Sequence, residues 1–118
     1  MKISKYFNRS EIECKCNNNC GFDSMDTETL MIADLAREFV GEGITPSSGC
    51  RCPAHNASVG GAEKSQHVLA RAMDLPCKDP QALFEYLDSK FPDKYGFGVY
   101  KTFVHVDSRT GGPARWVG

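Results

Sequence analysis

No stretch of this chain stays apolar for anything near the roughly 20 residues that span a bilayer, so the sequence offers no membrane-crossing helix. The opening MKISKYFNRS has no apolar segment of the kind a secretory leader carries. Synthesis and retention in the cytoplasm are therefore expected unless another agent releases the protein. Charge is scarce in neither sign but balanced, with 14 basic and 15 acidic residues, a net charge of -1 and no basic run. That balance excludes an evident nucleic-acid footprint. There is no internal repeat, low-complexity segment or linker, and a chain of 118 residues suits one domain over 1–118. Histidine is rare as well, with three in the chain, and where they fall carries most of the information.

Cysteine is the residue in excess. Six is many for a chain expected in the cytoplasm: Cys14, Cys16 and Cys20 in CKCNNNC, Cys50 and Cys52 in GCRCP, and Cys77 apart. The spacings C-x-C and C-x3-C are not the C-x2-C of a zinc knuckle. Buried or partly paired thiols rank first on this pattern, a disulfide second and a metal cluster last.

The first 25 residues read as turn-rich, with NNNCG as a turn. DTETLMIADLAREFVG reads as a helix that Asp26 or Thr27 caps and Gly41 stops. Met31, Leu35 and Phe39 with Ile32, Ala36 and Val40 make its apolar face. ITPSSG reads as a short strand leading into a loop, and PAHNASVG as a short helix begun by Pro53. GGAEKSQH is a flexible approach to RAMDL, a strand by alternation. DPQALFEYLDSKF is a second clear helix, capped by Asp79, with Leu83, Phe84, Leu87 and Phe91 as its buried stripe. GFGVY and FVHVD read as strands of a tight hairpin through Lys101 and Thr102, and GGPARWVG as loop. The order predicts an α+β fold: two main helices on a small, mainly antiparallel sheet.

Residues two apart on a strand share a face, so Asp74 lies with Ala72, and His105 with Phe103 and Asp107. If those strands are neighbours, Asp74 and His105 converge while the preceding loop delivers His67. Two imidazoles and a carboxylate suit catalytic zinc with a fourth position for water, whose pKa zinc lowers to roughly 7. On spacing alone, a hydrogen-bonded structural His–Asp pair remains the commoner outcome.

SQHVLARAMD resembles the S-x-H-x-x-G-x-A-x-D signature of the zinc D-alanyl-D-alanine carboxypeptidase and peptidoglycan endopeptidase family, which shares its fold with the hedgehog signalling domain. SGCRCPAHN is similar to that family's S-G-(Y/F)-R-(S/T/C)-P-x-x-N segment, and GFGVYKTFVHVD to its closing G-x-G-x-Y and H-x-D segment. FNRSEIECKC and CGFD are similar to the leader of its small single-domain branch. The resemblance thus covers nearly the whole chain, with the motifs in order. It implies one Zn²⁺ held by His67, Asp74 and His105. It also implies that Arg51 binds the substrate's terminal carboxylate or a nearby peptide oxygen, a task suited to the guanidinium fork. Ser65 matches the signature serine and is expected to orient substrate or a supporting group. Asn56 is expected to hold its own loop. His55 reads as a surface or capping residue, and Phe22, Phe97 and Trp116 as core or rim.

Three departures from the family pattern stand out. Ala70 replaces the signature glycine, which matters if the backbone there needs positive φ. Cys50 replaces the aromatic before Arg51, and Cys77 follows the first ligand strand, so both thiols are candidates to lie near the metal. Thr102 stands where several branches carry an acidic base. Asp107, two along from His105, is the candidate base. Its alternative role is to orient a ligand imidazole or pair with Arg51 or Arg109. Tyr100 is a candidate oxyanion donor.

The resemblance implies hydrolysis of peptidoglycan peptides at a D-Ala-D-Ala terminus or within the stem peptide, by zinc-activated water in a chain expected to act as a monomer. Small members without a leader look like phage or prophage lysis and tail enzymes. The leading rival is a non-catalytic zinc domain of the same fold. A further rival is a redox or structural metal protein built on Cys14, Cys16 and Cys20.

Overall fold

The computed structural model describes residues 2–16, 24–61 and 65–118. The NNNCG turn, Cys20, Phe22 and part of the GGAEKSQH approach lie outside the described residues. The chain runs α1 (Arg9–Ile12), α2 (Thr27–Val40), α3 (Pro53–Ser58), β1 (Ala72–Pro76), α4 (Pro80–Lys90), β2 (Gly96–Val99), β3 (Phe103–Asp107) and β4 (Ala114–Val117). Among the described residues the strands form one sheet in the order β1-β3-β2-β4. The pairs β1–β3 and β2–β3 are antiparallel, and β2–β4 is parallel. The expected α+β class, with a mainly antiparallel sheet and two principal helices, is the class observed.

Strand alternation divides the sheet into two chemically distinct faces. Met73, Leu75, Phe97, Val104 and Val106 are fully buried and pack with Ile32, Ala33 and Ala36 of α2 and Leu83 and Leu87 of α4. Asp74, His105 and Asp107 alternate with these apolar residues along β1 and β3, and so emerge on the opposite side. Helix α4 follows its sequence signals: Asp79 accepts a hydrogen bond from the Ala82 N–H at 3.1 Å, and Pro80 occupies the first turn.

Helix α2 corrects part of the expected pattern. It ends at Gly41, whose φ of 79° is the left-handed conformation glycine tolerates. Its buried positions, however, are Thr29, Leu30, Ile32, Ala33 and Ala36, while Met31 and Phe39 are exposed. Small alanines let the helix approach the sheet closely, so the buried stripe is rotated from one drawn through the largest side chains. Asp26 sits at the N-cap but makes no side-chain cap. Its carboxylate instead accepts from the Ser108 hydroxyl at 2.7 Å.

Two further assignments change. ITPSSG is not a strand; it touches the sheet through one bridge, Ser48 to Asp74, with Asp74 N–H donating to the Ser48 carbonyl at 2.8 Å. Pro46 lacks the N–H and the backbone freedom a longer ladder needs. The tail GGPARWVG, expected as loop, contains β4. Arg115 explains the docking: its guanidinium lies 4.5 Å from the Phe97 ring and donates to Asp88, to the Tyr95 carbonyl and to the Phe91 carbonyl at the end of α4. Satisfying the last carbonyls of a helix with a cation is favourable on both hydrogen-bond and dipole grounds.

Replacing Arg115 by Ala is therefore expected to lower stability by roughly 2 kcal/mol, the scale of lost charge-assisted hydrogen bonds. Urea unfolding followed by the fluorescence of Trp116, the single tryptophan, would measure it.

Candidate metal centre

Antiparallel register sets Asp74 of β1 directly opposite His105 of β3. His67 arrives from the turn before β1, where Val68 N–H donates to the Ser65 carbonyl and Ala70 N–H to the His67 carbonyl. Nε2 of His67 lies 3.2 Å from Asp74 Oδ1, and Nδ1 of His105 lies 3.1 Å from the same oxygen. These three residues offer one donor atom each within 4.8 Å of one another, and all three are buried.

The nitrogens pointing away from this cluster are also held. His67 Nδ1 donates to the Gly49 carbonyl at 2.6 Å, which fixes its tautomer and leaves Nε2 as an electron-pair donor. His105 Nε2 faces Asp107 Oδ2 at 2.7 Å, which leaves Nδ1 toward the cluster. Metal-ligating histidines characteristically have their second nitrogen held by a carbonyl or carboxylate in this way. The donor set therefore fits a cation such as zinc.

The charges around the cluster keep the carboxylates ionised, the form in which Asp74 can bind a metal, while His105 must give up a proton to do so. Burial alone would raise the Asp74 pKa, but the His105 and His67 rings that face it hold the carboxyl well below the usual range in the absence of metal. Asp107 behaves alike: burial opposes its charge, yet Arg109 and His105 hold its carboxyl far below normal. Burial also opposes charge on His105, and the bonds to Asp107 and Asp74 outweigh it and raise that pKa.

A cleft of about 490 Å³ opens over the cluster. Arg51, Ser65, Tyr100 and Arg109 line it together with the three donor residues. Arg51 is clamped by Ser48 Oγ at 3.0 Å and Asn56 Oδ1 at 3.1 Å, with Asp74 Oδ2 at 3.5 Å. Ser65 Oγ accepts from the His67 N–H at 3.2 Å. Tyr100 stacks on Phe103 at 4.4 Å and accepts the Trp116 indole N–H at 3.0 Å. Asp107, by contrast, does not line the cleft; it is fully buried, and Arg109 and His105 engage both of its oxygens.

Alternate glycines on β2 make room for this arrangement. Gly96 pairs with Asp107 and Gly98 with His105. A side chain at 96 would strike the Asp107 carboxylate and Arg109, and one at 98 would strike the Trp116 indole. The Trp116 ring lies 5.1 Å from His105, and the Arg109 guanidinium lies 5.1 Å from the Trp116 ring.

Several roles were invisible in the linear pattern. Asn56, expected to hold its own loop, is buried and orients Arg51. Arg109 belongs to the cleft because Asp107, two residues earlier at the end of β3, holds its guanidinium, and Trp116 because the tail pairs as a strand. The alternation of ARWV was the available signal for it. Cys50 and Cys77 do not lie by the metal group: Cys50 is in the core, its thiol directed at the Ser24 carbonyl, and Cys77 sits beside Phe39 and Lys78. His55 on α3 is outside the donor cluster.

Ala70 adopts φ 57°, the left-handed conformation the signature glycine would supply. Its carbonyl accepts from Asp26 N–H at 2.8 Å, so the strained residue also joins the His67 turn to the start of α2. A left-handed alanine costs about 1 kcal/mol, partly offset by the greater freedom of glycine in the unfolded chain. Ala70→Gly is expected to raise the thermal midpoint modestly in calorimetry, and an unchanged or lower midpoint would contradict the strain.

Comparison with known families gives a match over residues 5–107 to the family described as Peptidase M15. No curated protein matches. That match spans most of the chain, including the His67, Asp74 and His105 cluster and Arg51. The chain belongs to the Peptidase M15 family.

Proposed function

We propose that this protein is a zinc-dependent peptidase of bacterial peptidoglycan, hydrolysing stem peptides at a D-Ala-D-Ala terminus or within the stem. The carrying observation is the convergence of His67, Asp74 and His105 donors at a cleft that two arginines also line. Zinc, when bound, supplies Lewis-acid polarisation of a peptide carbonyl and an acidified water nucleophile.

The chain's own residues do the rest. Arg51, preset by Ser48 and Asn56, binds a carboxylate of the substrate through its remaining donor capacity. Such carboxylates are abundant in stem peptides. Tyr100 accepts from Trp116, which leaves its own O–H to donate toward an oxygen that gains charge in the transition state. Ser65 fixes the turn that delivers His67. Asp107 acts as a positioning residue: it orients the His105 ring and takes its own orientation from Arg109. Its burial and full engagement favour that role over proton transfer to substrate.

One observation favours the rival, a zinc-supported binding domain. Thr102, where related branches carry an acid, is exposed in the turn between β2 and β3, and Asp74 is the one carboxylate lining the cleft among the described residues.

Digestion of purified peptidoglycan with and without a chelator, read by mass spectrometry of new chain ends, tests the proposal. New peptide ends that vanish on chelation and return with zinc are expected. A chain that holds zinc but releases no such ends is the binding domain instead. Asp107→Asn then separates the two roles of that residue. Positioning predicts zinc affinity about 10–100-fold weaker, with activity largely recovered at saturating zinc. A base would lose kcat at unchanged zinc affinity.

A further inference from the structure

The N-terminal segment brings a second group of metal-type donors together, away from the cleft. Sγ atoms of Cys14, Cys16 and Cys52 lie within 4.8 Å of one another, each residue partly buried. None of the three lines the cleft. Cys14 and Cys16 are two apart in a non-helical segment, a spacing that directs both sulfurs to one side when the chain is extended. Cys52 comes from across the molecule, at the residue before α3. Its backbone N–H points at Cys14 Sγ at 3.3 Å, the kind of contact that stabilises a thiolate.

We infer that Cys14, Cys16 and Cys52 bind a second, structural zinc ion that pins the N-terminal segment to the loop carrying Arg51. Zn–S bonds of about 2.3 Å place sulfurs roughly 3.8 Å apart around a tetrahedral ion, so the three thiols need only a small contraction. Soft thiolate donors select zinc over magnesium or calcium. A further donor completes the tetrahedron.

The position gives the ion a mechanical role. Cys50 N–H donates to the Ile12 carbonyl at 2.8 Å, and Gly49 passes so close to Ile12 that a side chain there would strike its backbone. The same short loop supplies the Gly49 carbonyl to His67 and the Arg51 N–H to the His67 carbonyl. Linking residues 14 and 16 to 52 closes a long loop of the unfolded chain, and metal binding of this kind adds directly to folding free energy.

The test uses the full chain, reduced and loaded with zinc or cobalt. Wild type is expected to take up two zinc ions per chain, and Cys14→Ser and Cys52→Ser one each. Cobalt-loaded wild type is expected to show strong sulfur-to-cobalt charge-transfer bands. A His67→Ala/His105→Ala variant keeps those bands while losing the other ion, so failure of this site and failure of the peptidase centre are distinguishable. Absence of the bands from both wild type and the histidine variant would overturn the inference. So would two of the three sulfurs found joined as a disulfide in freshly purified protein.

Discussion

Pairing of β1 with β3 in one register places a carboxylate opposite an imidazole on the side of the sheet away from α2 and α4. A slip of one residue would turn Asp74 and His105 into the core and push Met73 or Val104 out, because strand side chains alternate. The apolar packing of Met73, Leu75, Val104 and Val106 against α2 and α4 therefore holds the donor geometry as firmly as it holds the fold. The chemistry on one face is specified by hydrophobic burial on the other.

Around that pair, the supporting contacts come partly from near neighbours in sequence and partly from the loop before α3. Gly49 holds His67, Asp107 holds His105, and Ser48 with Asn56 holds Arg51. Each of these is buried or partly buried, where a hydrogen bond left unmade is costly. The side chains are thus preset before a ligand arrives, which lowers the reorganisation that binding or reaction would require. The glycines at 96 and 98 serve the same end by absence: each withholds a Cβ where a carboxylate or an indole must lie.

The N-terminal segment supports the loop behind the site, and the tail lines the cleft. Ile12 backs the loop of Gly49 and Cys50, and β4 carries Trp116 against His105. The N-terminal segment buries Phe7 and Ile12 in the core, whereas β4 is only partly buried. Beyond that packing, they are tied by backbone hydrogen bonds, by the Arg115 contacts at the end of α4 and, in the inference above, by thiolate coordination.

Local signals were enough for the two main helices, for the β2–β3 hairpin and for the ligand strand β1. Capping residues, proline at the first turn and strict alternation all act within a few neighbours. The motifs around His67, Asp74, His105 and Arg51 were legible in the same way, since each is a short string with a fixed internal geometry. What those strings could not contain was partner identity across the sheet. That Trp116 lies over Gly98 follows from strand order and register, and that Asn56 clamps Arg51 and Asp107 turns toward Arg109 and His105 rather than the cleft follows from how the chain packs around them. The same holds for Cys14 and Cys16 meeting Cys52 rather than only each other. The tryptophan and cysteine contacts join residues far apart in the chain, and all of them are decided by tertiary packing, which leaves no periodic trace in the letters themselves.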